Sequence, residues 1–181
     1  MTRRDFKDGC GEQTGGNFSM TLAPIFRFAP MTEAHGEAIC GWSYPEPYHL
    51  YNWPPWGEMK LQQREFADPA LRREQYAAVL DEENDLIGFV QFFPMEGWTR
   101  LGLGLRPDCC GLGWGTAFVT ATTAEAQRRA PDKQIDLEVL LWNERARKCY
   151  ERAGFRISDC YSRNTPNGPA RFYCMEYGGS S

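Results

Sequence analysis

The sequence predicts a single α+β domain built on a mixed sheet, and three observations carry that prediction. Extended and helical patterns follow one another in the order β-α-α-β-β-β-α-β-α-β-β. One extended segment feeds a glycine-rich loop, and a helix starts from that loop. The 181 residues are 42% hydrophobic and 24% charged, which suits one soluble domain with its own core.

Residues 1–20 are polar, glycine-rich and aperiodic, so a flexible tail is expected there, with the domain spanning 21–178. Ile25, Phe26 and Phe28 mark a first strand. Thr32 caps a helix whose buried positions are expected at Ala34, Ala38, Ile39 and Trp42. The stretch Trp42–Trp56 is rich in aromatics and prolines, and the prolines exclude a long regular helix. Asp68-Pro69 is an N-cap and first-turn pair for a second short helix. Tyr76–Leu80 and Leu86–Phe93 flank the turn Glu82-Glu83-Asn84-Asp85 and predict a hairpin, and Arg100–Leu105 forms a third strand. Trp114, Ala117, Phe118, Ala121 and Ala124 recur at helical spacing. Ile135–Leu141 is apolar enough for an interior strand. Asn143 caps a helix that stops at Gly154, and Phe155–Ser162 and Arg171–Tyr177 close the domain as strands.

The formal charge is −4, so the chain lacks the basic footprint of a nucleic-acid module. Residues 1–100 hold 9 Lys/Arg against 15 Asp/Glu, whereas 101–181 hold 11 against 9. No apolar run reaches the roughly 18 residues of a membrane span, and the N-terminal segment has no apolar run of a signal peptide. Neither a nucleic acid nor a membrane is expected as partner. Seven cysteines without a CxxC pair, two of them adjacent at Cys109-Cys110, point to a reducing cytoplasm and to no metal site.

The glycine loop, Leu103-Gly104-Leu105-Arg106-Pro107-Asp108-Cys109-Cys110-Gly111-Leu112-Gly113-Trp114-Gly115-Thr116, has the chemistry of a phosphate cradle: glycines let backbone approach a ligand, and free N–H groups at a helix start bind anionic oxygens. A P-loop requires a lysine that is missing here. A dinucleotide fold requires GxGxxG, whereas this loop is GxGxG, and an acidic residue at the end of the following strand, whereas Asp136 stands at its beginning. A nicotinamide-dependent oxidoreductase is thereby disfavoured.

The loop and the segment Asn143-Glu144-Arg145-Ala146-Arg147-Lys148-Cys149-Tyr150-Glu151-Arg152-Ala153-Gly154-Phe155 together resemble the GNAT superfamily of acyl-CoA-dependent N-acetyltransferases. Gly113 and Gly115 match that family's loop glycines. Asn143, Ala146, Tyr150, Gly154 and Phe155 match its second signature. The resemblance covers about residues 21–178 and implies a mostly antiparallel central sheet flanked by helices. It departs at Cys110, where the family usually carries Arg or Gln, and weaker cofactor binding is expected from that change.

The resemblance implies acetyl-CoA as co-substrate and direct attack by a primary amine of a small molecule or peptide. By the same resemblance Leu103 and Leu105 flank the pantetheine arm. Residues Cys110, Gly111, Gly113, Trp114, Gly115 and Thr116 hold the pyrophosphate, Asn143 lies close to the cofactor, and Arg147 reaches a phosphate. Tyr150 matches the general acid, and a phenol with a reference pKa near ~10 keeps its proton at neutral pH. Two carboxylates stand as candidate bases, Glu96 between two central strands and Glu138 on the strand after the glycine helix, beside the option of proton transfer through water. Trp42, Tyr44, Tyr48 and Tyr51 lie where the family places acceptor-binding elements, and stacked aromatics suit a cation. A homodimer is the expected assembly from the resemblance alone. The rival reading is a family member that binds acyl-CoA without transferring the acyl group. His35 and His49 have no partners at metal or triad spacing and are expected as surface or helix residues.

Overall fold

The computed structural model describes residues 22–165 and 168–178. The N-terminal tail expected at 1–20 lies outside the described residues. Seven strands form one sheet in the order β1-β2-β3-β4-β5-β7-β6: β1 Arg27–Pro30, β2 Tyr76–Leu80, β3 Leu86–Met95, β4 Trp98–Leu105, β5 Gln134–Leu140, β6 Phe155–Thr165 and β7 Gly168–Tyr177. Every neighbouring pair is antiparallel except β4 and β5.

Three helices lie between β1 and β2. The first, α1 (Glu33–Cys40), is capped by Thr32, whose hydroxyl accepts from the His35 amide while His35 Nδ1 accepts from the Thr32 amide. That capping contact is the structural use of His35. The buried face of α1 is Gly36 and Ile39, not Ala34 and Ala38, which are exposed. The reason is steric: a Cβ at Gly36 would stand 3.0 Å from the Trp56 ring, so the helix lies down on its glycine. Beyond the expected pair of helices stands a further short one, α2 (Trp56–Leu61), which starts as soon as Pro54-Pro55 is passed. In α3 (Pro69–Gln75) the Asp68 carboxylate accepts from the amides of Ala70 at 2.7 Å and Leu71 at 3.0 Å, the cap the sequence predicts.

Strand alternation divides the core between the two faces of the sheet. Val90 and Phe92 of β3 join Leu101, Leu137, Val139 and Met175 in a cluster covered by α4 (Gly115–Arg129) and α5 (Glu144–Arg152) through Phe118, Val119, Ala126, Tyr150 and Ala153. Phe89, between Ile87 and Val90 on β3, belongs instead to a second cluster with Ile39, Trp56, Met59, Phe66 and Tyr76 from the α1–α3 layer. Burying a phenylalanine such as Phe118, at 1% exposure, contributes about 2–3 kcal/mol. On α4 the buried stripe is Phe118, Val119, Thr122, Thr123 and Ala126, while Ala117 and Ala124 face outward and Trp114 precedes the helix as its N-cap. The first strand begins at Arg27, leaving Ile25 68% exposed, and Phe26 packs on Phe118 with ring centroids 5.4 Å apart.

Candidate active site

The parallel pair at the centre of the sheet opens a cleft. β4 and β5 are paired only from Trp98–Leu101 to Gln134–Leu137. Beyond that point Gly102–Leu105 pair only with β3, and Glu138–Leu140 only with β7, so the β5-facing edge of this half of β4 has no ladder partner. Leu103 and Leu105 stand on this edge, half-buried. The Tyr44 hydroxyl donates to the Leu105 carbonyl at 2.7 Å, pinning the aromatic segment to the cleft. Gly104 is required here, because a Cβ would come within 2.6 Å of the Phe89 ring.

At the end of the cleft the glycine loop turns into α4. Gly111 and Gly113 both have φ of 86°, a conformation that favours glycine, whereas Gly115 is needed for close approach: its Cβ would lie 2.7 Å from Cys149 Sγ of α5. The amide N–H groups of the first turn of α4 have no intrahelical partner, and no described side chain caps them. The indole Nε1 of Trp114, the N-cap, is buried without a hydrogen-bond partner among the described residues. Orphan donors at the positive end of a 15-residue helix fit the oxygens of a pyrophosphate.

Cys110 brings no charge to this cradle. Its Sγ lies 3.6 Å from the Arg106 carbonyl and 3.8 Å from that of Leu105, and burial pushes the thiol pKa up. A cation stands close by instead. The Arg145 guanidinium lies 4.0 Å from the centroid of the Tyr48 ring and favours the ionised forms of Tyr44, Tyr51 and Cys110, yet pairs with no carboxylate among the described residues. Arg147, expected at a phosphate, is held by Glu151 at 2.6 Å along α5.

Asn143 starts α5. Its side-chain oxygen accepts from the Ala146 amide at 3.2 Å, and its Nδ2 donates to the Tyr51 hydroxyl at 3.0 Å. Two turns on, Tyr150 is buried against Phe155, and its hydroxyl has no hydrogen-bond partner among the described residues. Burial first, and then the nearby Tyr51 and Cys149, raise its pKa above the usual phenol value.

A family model, the acetyltransferase (GNAT) family, matches residues 38–155, which include the cleft, the loop and α5. The chain belongs to the GNAT acetyltransferase family. Among solved structures, an acetyltransferase (GNAT family) from Bacillus anthracis superposes with a TM-score of 0.68 at 15% identity, covering 86% of this chain and 95% of that one. A spermidine N-acetyltransferase chimera from Vibrio cholerae and hSSAT gives 0.66 at 12% identity, covering 84% and 94%. At such identities the structural likeness shows the fold, and the family match makes the chain an acyltransferase.

On the α1–α3 face of the sheet this acetyltransferase has a cavity of about 480 Å³, lined by Tyr51, Glu65, Gln91, Phe93, Arg100, Leu101, Gly102, Glu138, Leu140, Arg163 and Phe172. Of the aromatics expected at the acceptor, Tyr51 lines it. Tyr48 is not in the lining and packs instead on Trp142, with ring centroids 5.6 Å apart, while Tyr44 holds the cleft edge. Trp42 instead packs on Phe89 in the second core cluster. Glu96 is not brought to these residues. It lies exposed in the turn between β3 and β4, and about 17 Å of strand separates Trp98 from Leu103. Hairpin geometry explains this, since β4 runs away from the turn that opens it. Glu138 is in the cavity, but Arg100, Arg163 and the Tyr161 hydroxyl occupy its oxygens. Sequence reasoning missed Arg100, Arg163 and Glu65. Alternation along β5 puts Asp136 and Glu138 on one face, but only the β4–β5 register brings Arg100 to them.

Proposed function

We propose that this acetyltransferase moves an acetyl group from acetyl-CoA to a primary amine of a small molecule or peptide, within a complex of all three. The observation that carries the reading is the junction of two features: an uncapped helix start on a glycine loop, and parted parallel strands leading from it to a cavity on the sheet face. When bound, acetyl-CoA supplies an activated thioester that an amine attacks directly.

The residues suited to hold it are the amides from Cys110 to Thr116, the indole N–H of Trp114, the β4 edge at Leu103 and Leu105, and Asn143. Tyr150 is the proposed acid. Its raised pKa keeps the phenol protonated across neutral pH, ready to give a proton to the departing sulfur. Tyr51, fixed by Asn143, orients the acceptor at the boundary between cleft and cavity. With Glu96 remote and Glu138 already held by three donors, the incoming ammonium loses its proton to water in the cavity. Six free thiols among the described residues, Cys40, Cys109, Cys110, Cys149, Cys160 and Cys174, support the cytoplasm as its compartment. No described helix is long and apolar enough to cross a membrane.

The test is release of CoA thiol by the purified protein with acetyl-CoA and a panel of primary amines. Amine-dependent release is expected; acetyl-CoA binding without release by any amine would contradict the transfer.

A further inference from the structure

The cavity carries one charge that no described residue neutralises. Four charged side chains line it: Glu65, Arg100, Glu138 and Arg163. On one wall Arg100 forks onto Asp136, with Nε to Oδ1 at 3.0 Å, and also reaches Glu138, whose second oxygen pairs with Arg163 at 2.8 Å. Two cations and two anions cancel there. Glu65 stands apart from that network, half-buried, and makes no ion pair among the described residues. It accepts a hydrogen bond from the Tyr76 hydroxyl.

The chain spends conformational energy to put Glu65 where it is. Its φ of 49° is in the left-handed region, which a glutamate adopts rarely. The next two residues, Phe66 at 0% and Ala67 at 5% exposure, anchor the turn in the second core cluster. A residue held in that backbone by buried neighbours is well fixed in position.

Register gives the distance of its partner Tyr76 from the cleft strand. Tyr76 pairs with Gln91, and Gln91 with Gly102 on the cleft half of β4. Tyr76 is therefore two strand spacings, about 10 Å, from Gly102. Glu65 is thus anchored to β2, two strands from the cleft half of β4, where an acceptor group several bonds from the attacking nitrogen would lie.

We propose that Glu65, oriented by Tyr76, binds a second positively charged group of the acceptor, so that the acceptors are amines carrying another cation several bonds from the reacting nitrogen. This rests on the reading of the cavity as the acceptor site. Glu65 is a specificity residue: it selects the substrate and takes no part in the proton transfers.

The test compares 1,5-diaminopentane with n-pentylamine, which share chain length and differ in the second ammonium. In wild type, the KM for the diamine lies about tenfold or more below that for the monoamine. Glu65→Gln, which keeps an acceptor for the Tyr76 hydroxyl, removes that preference by raising the KM for the diamine about tenfold, to the level of n-pentylamine. Tyr76→Phe gives a smaller loss of the same kind. Equal damage to both amines, or none to either, overturns the proposal. Calorimetry with 1,5-diaminopentane supplies a readout independent of turnover: wild type binds it, Glu65→Gln binds it about tenfold more weakly, and both bind acetyl-CoA alike. Failure of wild type to bind the diamine, or binding indifferent to Glu65, overturns this proposal. Absence of acetyl-CoA binding overturns only the transfer reading.

Discussion

The side-chain amide of Asn143 donates to the Tyr51 hydroxyl at 3.0 Å while its oxygen caps α5 through the Ala146 amide at 3.2 Å. One buried side chain thus ties the aromatic segment that lines the cavity to the helix that carries Tyr150. Asn143→Ala removes both bonds. We expect a loss of about 1 kcal/mol in thermal or denaturant unfolding, together with a higher KM for the acceptor. Stability loss with unaltered KM would mean that the tie to Tyr51 has no role in the site.

Gly113 holds φ of 86° with open space where a Cβ would go, so Gly113→Ala costs backbone strain and creates no clash. The expected loss is about 1 kcal/mol in folding, with weaker CoA binding as the loop relaxes from the helix start. At Gly115 an alanine meets Cys149 Sγ, so Gly115→Ala combined with Cys149→Gly should recover affinity that Gly115→Ala alone loses. Dissociation constants by calorimetry check both.

Tyr150 is the proposed acid, and burial raises its pKa above that of an ordinary phenol. An acid works in its protonated form, present below its pKa. Raising that pKa therefore extends the active range upward: kcat should show no falling limb from this group at or below about pH 10. Tyr150→Phe should lower kcat by about 10²-fold or more while leaving acetyl-CoA affinity unchanged. Turnover unaffected by the phenylalanine would remove the acid role.

Arg145 makes no ion pair among the described residues and stands beside the glycine loop on the Tyr48 ring, whereas Arg147 is engaged by Glu151 at 2.6 Å. Arg145→Gln should weaken CoA binding several-fold, increasingly so at low salt, and leave acetyl-pantetheine, which lacks the pyrophosphate, unaffected. Arg147→Gln should change little. Cys110→Arg places a charge where the thiol now folds back on the Arg106 carbonyl and should tighten CoA binding.

Local chemistry was legible in the sequence. Tyr76–Leu80 is a strand over the residues predicted, and Asp68-Pro69, Thr32 and Asn143 cap the helices they were expected to cap. These features depend on propensity and on hydrogen bonds a few residues long. The buried face of α1 was misjudged because alanines read as apolar, while packing chose Gly36, which alone lets the helix settle on Trp56. Glu96 was placed near the chemistry because it follows a central strand, but only the direction of β4 decides which end of the hairpin meets the cleft. Glu65 was invisible for a different reason. Its meaning arises from Tyr76, eleven residues away, and from the cancellation of charge across the cavity by Arg100 and Arg163, relations that register and tertiary packing create.

The proposed transfer requires the parted strands and the glycine loop to form an acyl-CoA site. Calorimetric titration of the purified protein with acetyl-CoA, alongside NADH, tests it most directly. We predict one acetyl-CoA bound per chain and no NADH. No binding of acetyl-CoA, or binding of NADH in its place, would contradict the account of the loop and the transfer chemistry built on it.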